Sequence, residues 1–357
     1  MFYLFWIFNF FVVATNDGRY VVTNYNLDII FNAYVYISVF IFYYVSRIVK
    51  KNRITDRTNA GFLFCGTYLA VFNLVGYSFG GHLNYFYTTL VLLSSYYIGS
   101  TSLESIYKFV LYSLGLLVVY TLCKFLAGYF GMNVLPFNDI RYSSLSNEGY
   151  FRFSNSIVFG QRNTAGAAIA SLYIVYSSLV YSNFVKFKFY IFVFHLVLAL
   201  SAMSATGITI VLACYLVTSQ IKVSRLLFLV GAVFVSLVLI GGIDRKIESL
   251  FAKVGVFFEF LSNLDLQTLL LGSVGKSSRP WVESSLLDMV YDIGFFIPTT
   301  ILIHFLYFFI KHWSELGAVF LYSFFLVLLL ISNSTLQPPI VLCLILSYNI
   351  LKRRGSI

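Results

Sequence analysis

The stretch GFFIPTTILIHFLYFFIKHWSELGAVFLYSFFLVLLLISNSTLQPPIVLCLILSYNILKRR, residues 294–354, decides the fold class. It holds three long apolar runs parted by a few polar residues, the first ending at Lys311-His312 and the last at Lys352-Arg353-Arg354. A helix that crosses hydrocarbon needs about 20 mostly apolar residues, because lipid offers no partner to unpaired backbone groups. The rest of the chain repeats the pattern. Hydrophobic residues make up 59% of the 357 and charged residues only 11%, with 39 Phe, 28 Tyr and 3 Trp, more apolar surface than a water-soluble core could hide. The reading is an all-α, polytopic integral membrane bundle, a single transmembrane domain over residues 1–357.

Working outward, spans fall at about 1–15, 28–47, 59–78, 85–102, 109–130, 163–182, 189–205, 207–221, 226–243, 287–310, 316–333 and 338–351. That gives about twelve helices, or ten if the short ones merge, and an even number puts both termini on one side. The first stretch, MFYLFWIFNFFVVAT, has no basic start and no clean small-residue cleavage site, so it is expected to be a retained span.

The net charge of +10 would suggest nucleic acid in a soluble protein; here basic loops at a membrane explain it. Fourteen cations share one side: Arg47, Lys50, Lys51, Arg53, Arg57, Lys108, Lys186, Lys188, Lys222, Arg225, Lys311, Lys352, Arg353 and Arg354. By the positive-inside rule that side is cytoplasmic, which places both termini inside. Nine cations fall outside, eight of them in two loops, while Lys124 lies within a span. The four cysteines sit in apolar runs without CxxC spacing or a nearby His, so they read as packing rather than as disulfide or zinc ligands.

Those two loops, 131–162 and 244–286, are the long hydrophilic segments of the chain, and both are assigned to the non-cytoplasmic face. In the second, Ile247, Leu250, Phe251, Val254, Phe258 and Leu261 recur at helical spacing, which suits a short amphipathic helix on the membrane surface or a packed loop helix. The first carries Arg141 and ends with Arg152 and Arg162, leading into a helix that starts at Asn163. Guanidinium groups beside a helix N-terminus suit a phosphate or diphosphate, though they also suit lipid phosphates. Thr164-Ala165-Gly166-Ala167-Ala168 reads equally as close helix packing. The second loop carries Arg245, Lys276, Arg279 and Glu283, followed by Asp288 and Asp292 on one face of the incoming helix. Glu283 near cations is either a general base or their counterion. Asp288 and Asp292 either face the interior or stand as helix N-terminal charges. GSVGKSS echoes a phosphate-binding loop, but that motif needs glycine at position 270 and the chain has Leu270. His82, His195, His304 and His312 show no ligand spacing and read as packing residues.

Three segments carry a family resemblance. The run from Arg152 to Ala165 resembles the R-x-x-G-x-F…P-N-x-x-A region of the O-antigen polymerase and ligase superfamily, with Asn155 at the usual Gly and Arg162 at the usual Pro. ALSAMSATGITIVLACYLV, 199–217, resembles its serine-rich kink, with Ser204 and Gly207 kept and Thr206 at the Arg position. Gly272 through Gly294 resembles its last outside loop, with Glu283-Ser284 and Leu286-Leu287 before Gly294. No His occurs between 244 and 303, which favours the Wzy-type polymerases over the ligases. The resemblance implies transfer of a growing glycan from undecaprenyl diphosphate to a new undecaprenyl-diphosphate-linked oligosaccharide, without cofactor or metal. It implies Arg152, Arg162 and Arg279 on the diphosphate and Glu283 as base toward the acceptor hydroxyl. Asn163, Arg141, Lys276, Arg245 and Asp288 are the further substrate-binding candidates. Membrane lipid and a chain-length regulator protein are candidate partners, and nucleic acid is not. The rivals are an O-antigen ligase and a lipid-linked oligosaccharide flippase, although no internal repeat of the transporter kind is visible.

Overall fold

The computed structural model describes residues 60–78, 101–129, 162–202, 204–219, 265–272, 293–331 and 338–354, with scattered positions in 3–10, 89–95, 255–262 and 289–291. Among the described residues there are helices and their connections, and no strand. In chain order the helices are α1 Ala60–Ser78, α2 Leu103–Tyr129, α3 Arg162–Tyr181, α4 Phe189–Ser201, α5 Ala205–Ser219, α6 Leu266–Leu271, α7 Phe296–Lys311, α8 Leu316–Ile331 and α9 Pro338–Arg354. The fold is an α-helical bundle.

The helix ends follow local chemistry. α2 begins six residues earlier than the apolar run predicts, because Glu104 and Lys108 join it as an i,i+4 pair at 2.7 Å. The Ser102 hydroxyl accepts from the Ser105 N–H at 3.3 Å and closes that first turn. α9 opens on Pro338-Pro339, where a missing N–H costs no helical bond, and closes on three cations at its negative end. The expected continuous helix over 287–310 is broken: Gly294 has φ +78 and separates the helical residues 289–291 and 293 from α7. That left-handed backbone is open to glycine at little cost.

α3 is the hub. Every residue from Ala165 to Leu179 is buried, and α5, α9, α8, α4 and α2 all pack against it. Its first turns are small, so neighbouring backbone comes unusually close. A Cβ on Gly207 would lie 2.8 Å from the Gly166 carbonyl oxygen and 2.9 Å from the Gly166 Cα, while a Cβ on Gly166 would overlap the Ser204 side chain. The stripe from Ala165 to Ala168 is therefore a close helix contact, as its small side chains allow.

Three connections and the C-terminal helix meet at one end of the bundle. The Arg353 guanidinium donates to the Thr101 carbonyl at 2.8 Å; that of Arg354 donates to the Tyr181 carbonyl at 2.7 Å and stands 3.9 Å from the Tyr181 ring centroid. The Tyr181 ring also lies against Gly317. These are segments that the charge count places on one side. Close to the same end, the Lys188 N–H donates to the Tyr176 hydroxyl at 2.8 Å.

Aromatic contacts fill the interior. Trp6 and Phe10 are buried against Phe109, with centroids 6.1 and 5.9 Å away, so the first apolar stretch packs on α2. Cys65, Cys214 and Cys343 are buried and unpaired, in keeping with packing, and Cys123 is an exposed free thiol. The outward faces are apolar: on α7, Ile303, Leu306 and Ile310 are all exposed, the last at 70%. Serines and His195 are among the buried side chains. Leu103–Cys123 is long and apolar enough to cross a membrane; Gly61–Phe72, Ala165–Tyr181, Phe189–Ser201, Ala205–Ser219, Phe296–Lys311 and Leu316–Leu330 are apolar but shorter.

The Gly166–Gly207 contact makes a paired prediction. Gly207→Ala pushes a methyl into the Gly166 backbone and should destabilise the bundle by about 1–3 kcal/mol, as overpacking does. Gly115→Ala, which meets nothing within 4 Å, should leave stability unchanged or slightly higher. Thermal unfolding of both variants in detergent reads the contrast; equal melting temperatures would contradict the close contact.

Candidate functional site

The residue that follows the first family-like segment touches the second. α3 starts at Arg162 and Asn163, and one turn in, Gly166 lies against Ser204 and Gly207, the positions that carry the serine-rich segment. The chain turns there because α4 ends at Ser201 and the Ser204 hydroxyl accepts from the Gly207 N–H at 3.3 Å, starting α5. The start of α3 is thus fixed against the α4–α5 turn. A substrate anion at this end of α3 would meet the N–H groups of its first turn.

The third segment closes on itself. Asp265 caps α6, accepting from the Thr268 N–H at 2.6 Å, and Gly272 at φ +75 ends it. The Phe295 N–H donates to the Leu269 carbonyl at 2.9 Å. A Cβ on Gly294 would stand 2.5 Å from the Leu270 oxygen and 3.3 Å from the Gly272 nitrogen. The chain carrying Lys276, Arg279, Glu283, Asp288 and Asp292 therefore leaves and returns at one neck.

Among the proposed site residues, Arg162 and Asn163 form the first turn of α3. Arg141, Arg152, Arg245, Lys276, Arg279, Glu283, Asp288 and Asp292 lie outside the described residues, as does His82. Lys124 lies within α2. In the second loop, Gly255, Phe258, Glu259 and Ser262 are helical and Phe258 is exposed; the other apolar positions of the expected amphipathic helix lie outside the described residues.

The helix α6 was missed by the apolar-run reading, since six residues are too few to register as a span. Its signal is present in NLDLQTLLLG: an Asp at the N-cap and a Gly just after the last apolar residue. The histidines fit packing roles. His304 Nε2 lies 2.8 Å from the Tyr322 hydroxyl, inside an aromatic group with Phe62 and Tyr348 at centroid distances of 4.5 and 4.7 Å. His312 stacks on Phe308 at 4.5 Å, with its Nδ1 3.6 Å from a Glu315 carboxylate oxygen. Among the described residues no group of three or more His, Cys, Asp or Glu side chains gathers as metal ligands.

No protein family, curated protein or solved structure matches this chain.

The neck is testable by itself. Gly294→Ala combines a left-handed φ with a clash against the Leu270 carbonyl, so it should cost about 1–3 kcal/mol. Gly255→Ala, with nothing within 4 Å, should cost far less. Thermal unfolding of the two purified variants compares them directly; a Gly294→Ala protein as stable as the parent would mean that the neck is not closed.

Proposed function

We propose that the chain is a polytopic membrane glycosyltransferase that polymerises lipid-linked oligosaccharide repeats, of the O-antigen polymerase kind. The observation that carries this reading is the close packing at its family-like segments: Gly166, next to the first, packs on Ser204 and Gly207 of the second, and Gly272 and Gly294 close the third, which bears Arg279 and Glu283. Positions in or next to the segments picked out by sequence pattern thus draw together in pairs.

The membrane part of the proposal, about twelve spans with both termini in the cytoplasm, draws on two further features. Large apolar side chains face outward while serines and a histidine are buried, the distribution that suits lipid as solvent. Segments given one side by the count of Lys and Arg also share one end of the bundle, through Arg353 to Thr101 and Arg354 to Tyr181. In this proposal the long loops 131–162 and 244–286 face the periplasm of a bacterial inner membrane protein.

The mechanism follows from charge. The donor glycan is bound through its anomeric carbon to undecaprenyl diphosphate, which must leave as an anion. Arg152, Arg162 and Arg279 hold the diphosphate and offset the charge that grows on its bridging oxygen. Asn163, Arg141, Lys276 and Arg245 extend that anion site, and Asp288 stands at the entry to the following helix. Glu283 takes the proton from the acceptor sugar hydroxyl as that oxygen bonds to the anomeric carbon. The products are a glycan longer by one unit on its lipid carrier and free undecaprenyl diphosphate.

Arg152→Ala, Arg279→Ala and Glu283→Ala, each verified as inserted, should cut chain elongation about a hundredfold or more, the scale of losing one group that stabilises developing charge. The measurement is the polysaccharide ladder of a deletion strain carrying each variant. Loss of the ladder with one capped unit retained supports polymerisation. Loss of all capped core points to a ligase or flippase, and intact ladders in all three variants would remove the proposed site.

A further inference from the structure

The connection between α3 and α4 carries two cations that the proposed reaction does not use. Burial alternates along residues 184–188: Val185 and Phe187 pack against the core, the Phe187 ring centroid 5.5 Å from that of Tyr215, while Phe184, Lys186 and Lys188 are exposed. That is the pattern of extended chain, whose successive side chains point to opposite sides, and Lys188 has φ -120 and ψ 113. Two residues of such chain set Lys186 and Lys188 about 7 Å apart on one side. Among the described residues no carboxylate pairs with either, since Glu104 holds Lys108 and Glu315 faces His312.

α4 continues that outward side. Ile191, Phe192, His195 and Leu198 are buried, whereas Tyr190, Val193, Phe194, Val197 and Leu200 are exposed, an apolar stripe at helical spacing. The charged start and the stripe are in contact: the Lys188 ammonium stands 5.9 Å from the Tyr190 ring centroid, and the Tyr190 ring meets Phe194 edge-on at 6.4 Å. The same ammonium stands 5.9 Å from the Tyr107 ring of α2, and the Lys188 N–H donates to the Tyr176 hydroxyl of α3. Three helices thus fix Lys188 at the head of the stripe.

The stripe has the length of a lipid tail. From Lys188 to Leu200 the helix rises about 18 Å, against about 15 Å for half of a hydrocarbon core. Charge and polarity together select the occupant. A free anion would use the lysines and leave the stripe bare, and a zwitterionic lipid would bring its own cation to the lysines. A phospholipid of net negative charge uses both, because lysines beside a membrane attract anionic headgroups and acyl chains cover apolar surface.

We propose that this face of α4 binds an anionic phospholipid of the leaflet at the end tied by Arg353 and Arg354, with its phosphate between Lys186 and Lys188 and an acyl chain along Tyr190, Phe194, Val197 and Leu200. The bound lipid anchors the connection between α3 and α4 to that leaflet. The proposal rests on the membrane reading of the bundle and not on the glycan chemistry.

The test is photocrosslinking of the full chain in phosphatidylcholine nanodiscs that hold a trace of phosphatidylglycerol or phosphatidylcholine with a diazirine in the acyl chain, the marked peptides being identified by mass spectrometry. Phosphatidylglycerol should mark residues 189–201 more than phosphatidylcholine does. Lys188→Gln should cut that excess about fivefold, the scale of one lysine at an anionic lipid surface. Lys188→Arg should keep it, and so should Lys311→Gln, which removes the same charge from another exposed position. Inorganic phosphate at constant ionic strength should not compete. If Lys188→Gln does not fold, Lys186→Gln takes its place. Equal marking by the two lipids, an equal loss in Lys311→Gln, or competition by inorganic phosphate would each overturn the proposal. Flotation with vesicles of either lipid separates the two readings: a chain that floats without lipid preference loses this site alone, and one that does not float loses the membrane reading with it.

Discussion

The close approach of α3 to the start of α5, with Gly166 against Gly207 and Ser204, is the contact on which the rest of the bundle depends. α3 has no outward face through its middle turns, so its five neighbours are arranged around it rather than side by side. In lipid the tails are as apolar as leucine, and helices associate through van der Waals contact and backbone proximity more than through a hydrophobic drive. Alanine, glycine and serine at the head of α3 allow that proximity. Farther along, Tyr173 and Tyr176 replace them, and aromatic contact with α4 and α5 takes over, as between Tyr173 and Phe192 or between Phe192 and Tyr215.

The two ends of the bundle are built by different means. One is tied by cations: Arg354 bonds the Tyr181 carbonyl, left open at the end of α3, and Arg353 bonds the Thr101 carbonyl just before α2. The residues read in the sequence as orienting charges therefore also join helix ends. The other end rests on glycine: Gly166 and Gly207 in one contact, Gly272 and Gly294 in the other. Backbone packed on backbone leaves no flexible side chain to absorb a shift, which suits a site whose groups must be held in place.

Much of the fold was legible in the sequence because apolar runs and helices coincide. The expected spans 59–78, 163–182 and 316–333 correspond to Ala60–Ser78, Arg162–Tyr181 and Leu316–Ile331. The misreadings have clear causes. Glu104 and Lys108 looked like a loop because charge was taken to end a span, whereas their pairing extends α2. Gly294 sits in an apolar run, so nothing in the run of hydropathy betrays its left-handed φ; only the contact with Leu270, distant in sequence, explains it. The candidate site was legible in part. Pattern picked out Ser204, Gly207, Gly272 and Gly294, and the fold brings them into contacts, but α6 and its Asp265 cap were invisible to a search for long apolar segments.

The central claim is that the bundle spans a membrane with its arginine-tied end in the cytoplasm and the loops of the candidate site outside. Single cysteines at Lys186, Ser314 and Ser262, all exposed positions, introduced one at a time, test it most directly when spheroplasts are treated with a membrane-impermeant thiol reagent. The account predicts labelling at 262 and protection at 186 and 314 until the membrane is opened. Labelling of all three from outside, or of 186 and 314 alone, would contradict it.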